Sequence, residues 1–93
     1  MVEVTWGTLV ERERRRRIRV SVAAYAYEVK ASPIMSDADF DHLCLEINPM
    51  RSTDNDVVDA FFRKHFSPST GMWVRSHPDV EGLARIYDKH WSK

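Results

Sequence analysis

The chain has little of what breaks, staples or anchors a small fold. It holds one cysteine, three glycines, four prolines and four lysines. Cys44 has no partner in its own chain, so an intramolecular disulfide is excluded and cysteine usage gives secretion no support. No apolar stretch approaches the ~18 residues that a membrane span needs. The opening "MVEVTWGTL" lacks a basic region followed by an apolar run, so no signal peptide is read there and the expected location is the cytoplasm. Charge of either sign is not in excess: 14 Lys and Arg stand against 14 Asp and Glu, so bulk charge advertises neither nucleic acid nor a membrane surface as partner. No repeat and no low-complexity tract interrupts the chain.

What is there suits one compact domain. Of 93 residues, 43% are hydrophobic and 30% charged, which fits a globular protein and argues against disorder. A chain of this size buries roughly 60 to 65% of its unfolded surface, enough for one modest core over residues 1–93. Charge is unevenly spread. The run "ERERRRRIR" at 11–19 carries six Arg against two Glu, whereas 37–59 holds seven Asp or Glu against one Arg.

Periodicity and punctuation predict an all-α bundle of about four helices. Thr8 and Glu11 make a T-x-x-E capping box, and no Gly or Pro follows until Pro33, so a long first helix is expected over about 9–30. Ile18, Val22, Tyr25 and Val29 are spaced as its apolar stripe, with Tyr27 on the opposite side near Val20 and Ala23. Ser36 and Asp39 repeat the capping pattern and open a second helix to about Ile47, buried through Phe40, Leu43, Cys44 and Ile47. Thr53 or Asn55 would cap a third helix facing inward with Val58, Phe61 and Phe62, and His65 or Phe66 beyond. "SPSTGMWV" reads as irregular, with a short extended piece at 72–74; "STGMW" is either a packing anchor, the simpler reading, or a mobile flap over a site, and Trp73 and Trp91 are core or lid candidates. Pro78 suits the first turn of a last helix whose stripe is Val80, Leu83, Ala84, Tyr87 and Trp91. Gly82 inside that helix is unfavourable.

One stretch does not read as ordinary packing. "YAYEVKASPIMSDADFDHL" (25–43) sets Asp37, Asp39 and Asp41 beside two tyrosines and a phenylalanine. Asp37 and Asp39 suit a first helical turn. Asp41 does not, since like charges at i and i+4 repel. The pattern Y-E-V-x-x-x-P-x-x-S-D-A-D-F-D-x-L, from Tyr27 to Leu43, resembles a segment of NAD-dependent bacterial DNA ligases, Y-H-x-x-D-x-P-x-I-x-D-A-E-Y-D-x-L. That segment lies in their N-terminal helical domain Ia, which closes over NAD and holds its nicotinamide mononucleotide (NMN) half. The resemblance covers about residues 20–47. It implies an Ia-like helical hairpin in the N-terminal half and a nicotinamide nucleotide, NMN or NAD, as ligand. Carried over position by position, it points to Tyr27, Glu28, Asp37, Phe40 and Asp41 as cofactor-binding residues. Glu28 stands where the family has His and exchanges a donor for an acceptor. Phe40 replaces a Tyr and loses a hydroxyl, and Ala31 replaces an Asp. The chemistry is coherent apart from the family. A pyridinium is drawn to an aromatic face and to carboxylates, and ribose hydroxyls donate to Asp.

The ligase adenylation motif K-x-D-G is absent around Lys30, Lys64, Lys89 and Lys93, so the chain is no ligase alone and no catalytic residue is expected. A binding or accessory module is therefore expected, working in trans with a nucleotidyltransferase or DNA-processing protein. The alternative is a helical interaction module. Arg12, Arg15, Arg16 and Arg19 share one helix face, a strip suited to phosphates of nucleic acid or to an acidic protein, although a solvated face with Glu11–Arg15 and Glu13–Arg17 pairs is the simpler reading. A hydrolase using Asp37 or Asp41 ranks last, for want of an activated nucleophile. The histidines show no ligand spacing, and no metal is expected.

Overall fold

The structure, a computed structural model, describes residues 8–91; residues 1–7 of the stretch read for a leader lie outside them. Among the described residues the chain forms four α-helices and no strand: α1 Leu9–Glu28, α2 Asp37–Glu46, α3 Asp56–His65 and α4 Val80–His90, with a short 3-10 helix at Met72–Ser76 before α4. It is a small all-α bundle. None of these helices is long and apolar enough to cross a membrane.

The start of α1 is the expected capping box. The Glu11 N–H donates to Thr8 Oγ1 at 3.1 Å and the Thr8 N–H to Glu11 Oε1 at 3.0 Å, satisfying donors that have no partner within the helix. At the far end the chain leaves through Ala31, whose φ of 52° is left-handed. A side chain with a Cβ is crowded there, whereas glycine is not. Ala31→Gly is therefore expected to raise stability by about 1 kcal/mol, read as a higher urea midpoint with an unchanged slope.

The buried face of α1 differs from the expected stripe. Ile18 is 48% exposed and Val29 42%, whereas every residue from Val20 to Ala26 is buried. The reason is position: α1 touches α2, α4 and the 3-10 helix, so its C-terminal half is surrounded rather than laid on one surface. A helix buried all round needs no single stripe. Ala23, Ala24 and Ala26 are small enough to let those neighbours approach.

In α2, Ser36 accepts the Asp39 N–H, and Leu43, Cys44 and Ile47 are buried with Phe40 half-buried. Burial, with the nearby Asp41 charge, pushes the Cys44 thiol up to about 11, leaving it an inert core group. Asn55 caps α3, and Thr53 instead turns inward. Phe61 and Phe62 are buried, Val58 and Phe66 half-buried, and His65 exposed. The expected extended piece at 72–74 is a 3-10 helix, because the Val74 N–H donates to the Gly71 carbonyl and the His77 N–H to that of Val74. This turn buries Trp73 and Val74 side by side, and the Trp73 indole donates to the Thr70 carbonyl at 2.6 Å.

In α4, Pro78 precedes the cap rather than occupying the first turn, since Asp79 is the N-cap and accepts the Gly82 N–H. Gly82 is explained by that cap: a Cβ there would run into the Asp79 carboxylate. The stripe ends at Tyr87, which meets Tyr25 edge-on, and Trp91 is 42% exposed.

The largest departure concerns the arginine run. The Glu13–Arg17 pair, expected on a solvated face, is buried, with Glu13 fully covered and Arg17 2% exposed. Arg17 donates from Nε to Glu13 at 2.9 Å, from Nη1 to Asp59 at 2.8 Å and from Nη2 to the Asn48 and Arg51 carbonyls. Its guanidinium also lies over the Phe62 ring, 4.8 Å from the centroid. Thr53 donates to Asp59 from both its N–H and its hydroxyl. These contacts tie α1 to α3 and to the 48–53 connection. Pairing alone, at i and i+4, does not reveal burial; the signal would have been a carboxylate far along the chain, at Asp59.

Candidate functional site

Loop 29–36 joins α1 to α2, and it delivers the ends of both helices to one cleft of about 410 Å³. Tyr27 and Glu28 come from the last turn of α1; Asp37, Phe40 and Asp41 come from the first turns of α2. All five residues singled out by the sequence line this cleft. Tyr27 is 56% exposed and Phe40 half-buried, so one ring is presented to solvent and the other closes the floor. Ala23, one turn before Tyr27, adds to that floor.

Ser69, Thr70, Gly71 and Met72 supply the opposite wall, from the stretch read either as a packing anchor or as a flap over a site. Gly71 packs so close to α1 that a Cβ there would lie 3.2 Å from the Ala24 Cβ and 3.4 Å from Phe40 Cζ. The missing side chain thus lets the wall reach the floor. Trp73, anchored in the core, holds that wall from behind. Arg75 donates to the Glu28 carbonyl at 2.6 Å, pinning the segment after the wall to the end of α1.

The cleft's charge is of one sign. Glu28, Asp37 and Asp41 are in its lining, and no Lys or Arg is, among the described residues. Such a cleft suits a cationic or hydroxyl-rich group and disfavours a phosphate. The described residues contain no group of three His, Cys, Asp or Glu side chains placed to hold a metal ion.

The alternative arginine strip is not uniform. Arg16 approaches Glu13 at 3.6 Å and is partly covered, Arg12 is half-buried, and Arg15 and Arg19 are exposed. Arg14, outside the strip, donates to the Thr53 carbonyl. Arg19 belongs to a different feature, a second cleft of about 400 Å³ with Ile34, Met35, Asp39, His42, Leu43, Glu46 and Trp91.

Compared with family models, with curated proteins and with solved structures, the chain matches none.

Proposed function

We propose that this chain is a nicotinamide nucleotide-binding module, similar to ligase domain Ia, that takes NMN or the NMN half of NAD in the cleft between α1 and α2. The observation that carries the reading is the convergence of an exposed aromatic, Tyr27, and three carboxylates, Glu28, Asp37 and Asp41, on a single cleft. A pyridinium ring is both flat and cationic. Tyr27 offers the face and the carboxylates offset the charge, while Asp37 and Asp41 accept from the ribose hydroxyls. A module of this kind contributes binding and leaves any chemistry to a partner, such as a nucleotidyltransferase or a DNA-processing protein.

The cleft is open, so the ligand stays partly hydrated and its ion pairs are screened. Binding in the micromolar to millimolar range is expected, once association costs of several kcal/mol are set against a few charged contacts. Titration by calorimetry or amide chemical shifts is expected to show NMN bound in preference to AMP, with shifts confined to the cleft residues. Asp41→Ala is expected to weaken NMN roughly tenfold without altering the circular dichroism spectrum. If millimolar NMN moves no resonance near Tyr27, Phe40 and Asp41, the reading fails.

A further inference from the structure

Ile18, expected within the buried stripe of α1, forms instead the exposed lip of a third cavity, of about 270 Å³. Its floor is apolar: Val58 and Phe62 of α3 and Leu83 and Ile86 of α4 line it together with Ile18. None of its lining residues belongs to the α1–α2 cleft or to the second cleft. A cavity this small, below the ~300–1,000 Å³ usual for drug-sized ligands, takes one ring or a short branched chain.

The polar groups in the lining offer donors. Arg14 gives Nε and Nη2 to the Thr53 carbonyl, and Nη2 alone approaches Asp54, at 3.7 Å. Its Nη1 has no partner among the described residues. Asn55 uses Oδ1 to cap α3, and its Nδ2 has no partner among them either. His77 accepts the Asp79 N–H at Nδ1. Burial lowers the His77 pKa against the raising effect of the Asp79 charge, so at neutral pH the ring is neutral and carries its proton on Nε2. That N–H also lacks a partner among the described residues. The acceptors are mostly spent. The Thr53 carbonyl takes Arg14, and the Asp79 carboxylate lies against Gly82 in the first turn of α4 and takes its N–H. Arg17, in the same lining, is committed to Glu13, Asp59 and two carbonyls. An apolar floor rimmed by unused donors, one of them on a full cation, is complementary to an anionic acceptor carried on an apolar body. We propose that this cavity binds a small organic acid, with its ring or branched chain on Phe62, Leu83 and Ile86 and its carboxylate on Arg14. A dianionic phosphate fits less well, because Arg14 has no complete fork left and Asp54 and Asp79 repel a second negative charge.

The test is methyl and amide NMR of the full chain with benzoate, benzamide, inorganic phosphate and a short peptide ending in Leu, on wild type, Arg14→Gln and Ile18→Asp. Benzoate is expected to shift the Ile18, Val58, Leu83 and Ile86 methyls. It should bind about tenfold more tightly than benzamide, the gain of one charge-assisted contact. Arg14→Gln should erase that preference by weakening benzoate alone. Ile18→Asp changes an exposed position, so the circular dichroism spectrum should stay as in the wild type while benzoate weakens roughly tenfold, because a like charge then stands at the lip. No shift of those methyls with millimolar benzoate overturns the proposal. Equal affinity for benzoate and benzamide in the wild type does so too, as does a benzoate preference that survives Arg14→Gln. Displacement of benzoate by equimolar phosphate overturns it by making the site one for inorganic anions. Tighter binding of the peptide than of benzoate overturns it in favour of a partner protein's C-terminus.

Discussion

Arg17→Met is expected to remove about 3–5 kcal/mol of stability, a large part of what a domain of this size possesses. The methionine fills much of the volume but cannot donate. Glu13, with no exposed surface, keeps only the looser approach of Arg16 at 3.6 Å, and Asp59, nearly as buried, is left with no cation. The Asn48 and Arg51 carbonyls lose a donor in the same change. Urea unfolding followed by circular dichroism measures the loss. The pH profile identifies its cause. In the wild type, burial alone would raise the Asp59 pKa, but hydrogen bonds from Thr53 and Arg17, with the Arg17 charge, outweigh it and hold the carboxyl below the ordinary range. A group depressed on folding stabilises above its unfolded value, about 3.9, and that contribution is lost as pH falls through the folded value. Wild-type stability should therefore decline on acidification below about pH 4. In Arg17→Met the buried Asp59 loses the charge and hydrogen bond that hold its carboxyl down, so the acid-side decline seen in the wild type should shrink. A variant that loses stability equally at every pH would show that Arg17 acts by packing alone. Replacing Glu13 and Asp59 as well, by Gln and Asn, is expected to recover part of the loss, because the cost lies in stranded charge.

Trp73→Ala is expected to cost about 3–5 kcal/mol and to abolish ligand binding in the α1–α2 cleft with it. The indole is the hub of the aromatic core: its ring centroid lies 5.1 Å from that of Phe66, 5.7 Å from Phe62 and 6.1 Å from Phe61. It fastens α3 to the 3-10 helix, and its N–H holds the Thr70 carbonyl. Removal leaves a cavity the helices can only partly close, and it frees the wall formed by Ser69 to Met72. Trp73→Phe retains most of the apolar volume and loses the hydrogen bond, so a loss nearer 1–2 kcal/mol and weakened, measurable binding are expected. Thermal unfolding with NMN titrated into each variant separates the two effects. Full-strength NMN binding by a destabilised but folded Trp73→Ala would show that the wall is held by something else.

The helices themselves follow from local chemistry. Thr8, Ser36 and Asn55 cap because short polar side chains reach donors three residues on, and a Pro- and Gly-free run from Thr8 to Ser32 has nothing to stop it. That Tyr27 and Phe40 meet at one cleft was legible for a similar reason, although the resemblance to ligase domain Ia is what singled them out. Tyr27 and Phe40 end and begin helices joined by one short loop, so covalent proximity alone brings their side chains near one another. What lay far apart in the chain was decided only by the tertiary structure. The apolar stripe of α1 was misplaced because periodicity assumes one buried face, and α1 is enclosed on several sides. Arg17 read as one of six arginines, yet Asp59, 42 residues away, turns it into the centre of a buried network. The wall at Ser69 to Met72 and the separation of Arg19 from its neighbouring arginines likewise arise from contacts between elements. A single side chain's type and spacing carry its preference for helix, cap or turn. Whether it meets solvent, a charge or another helix is set by what the rest of the chain places against it.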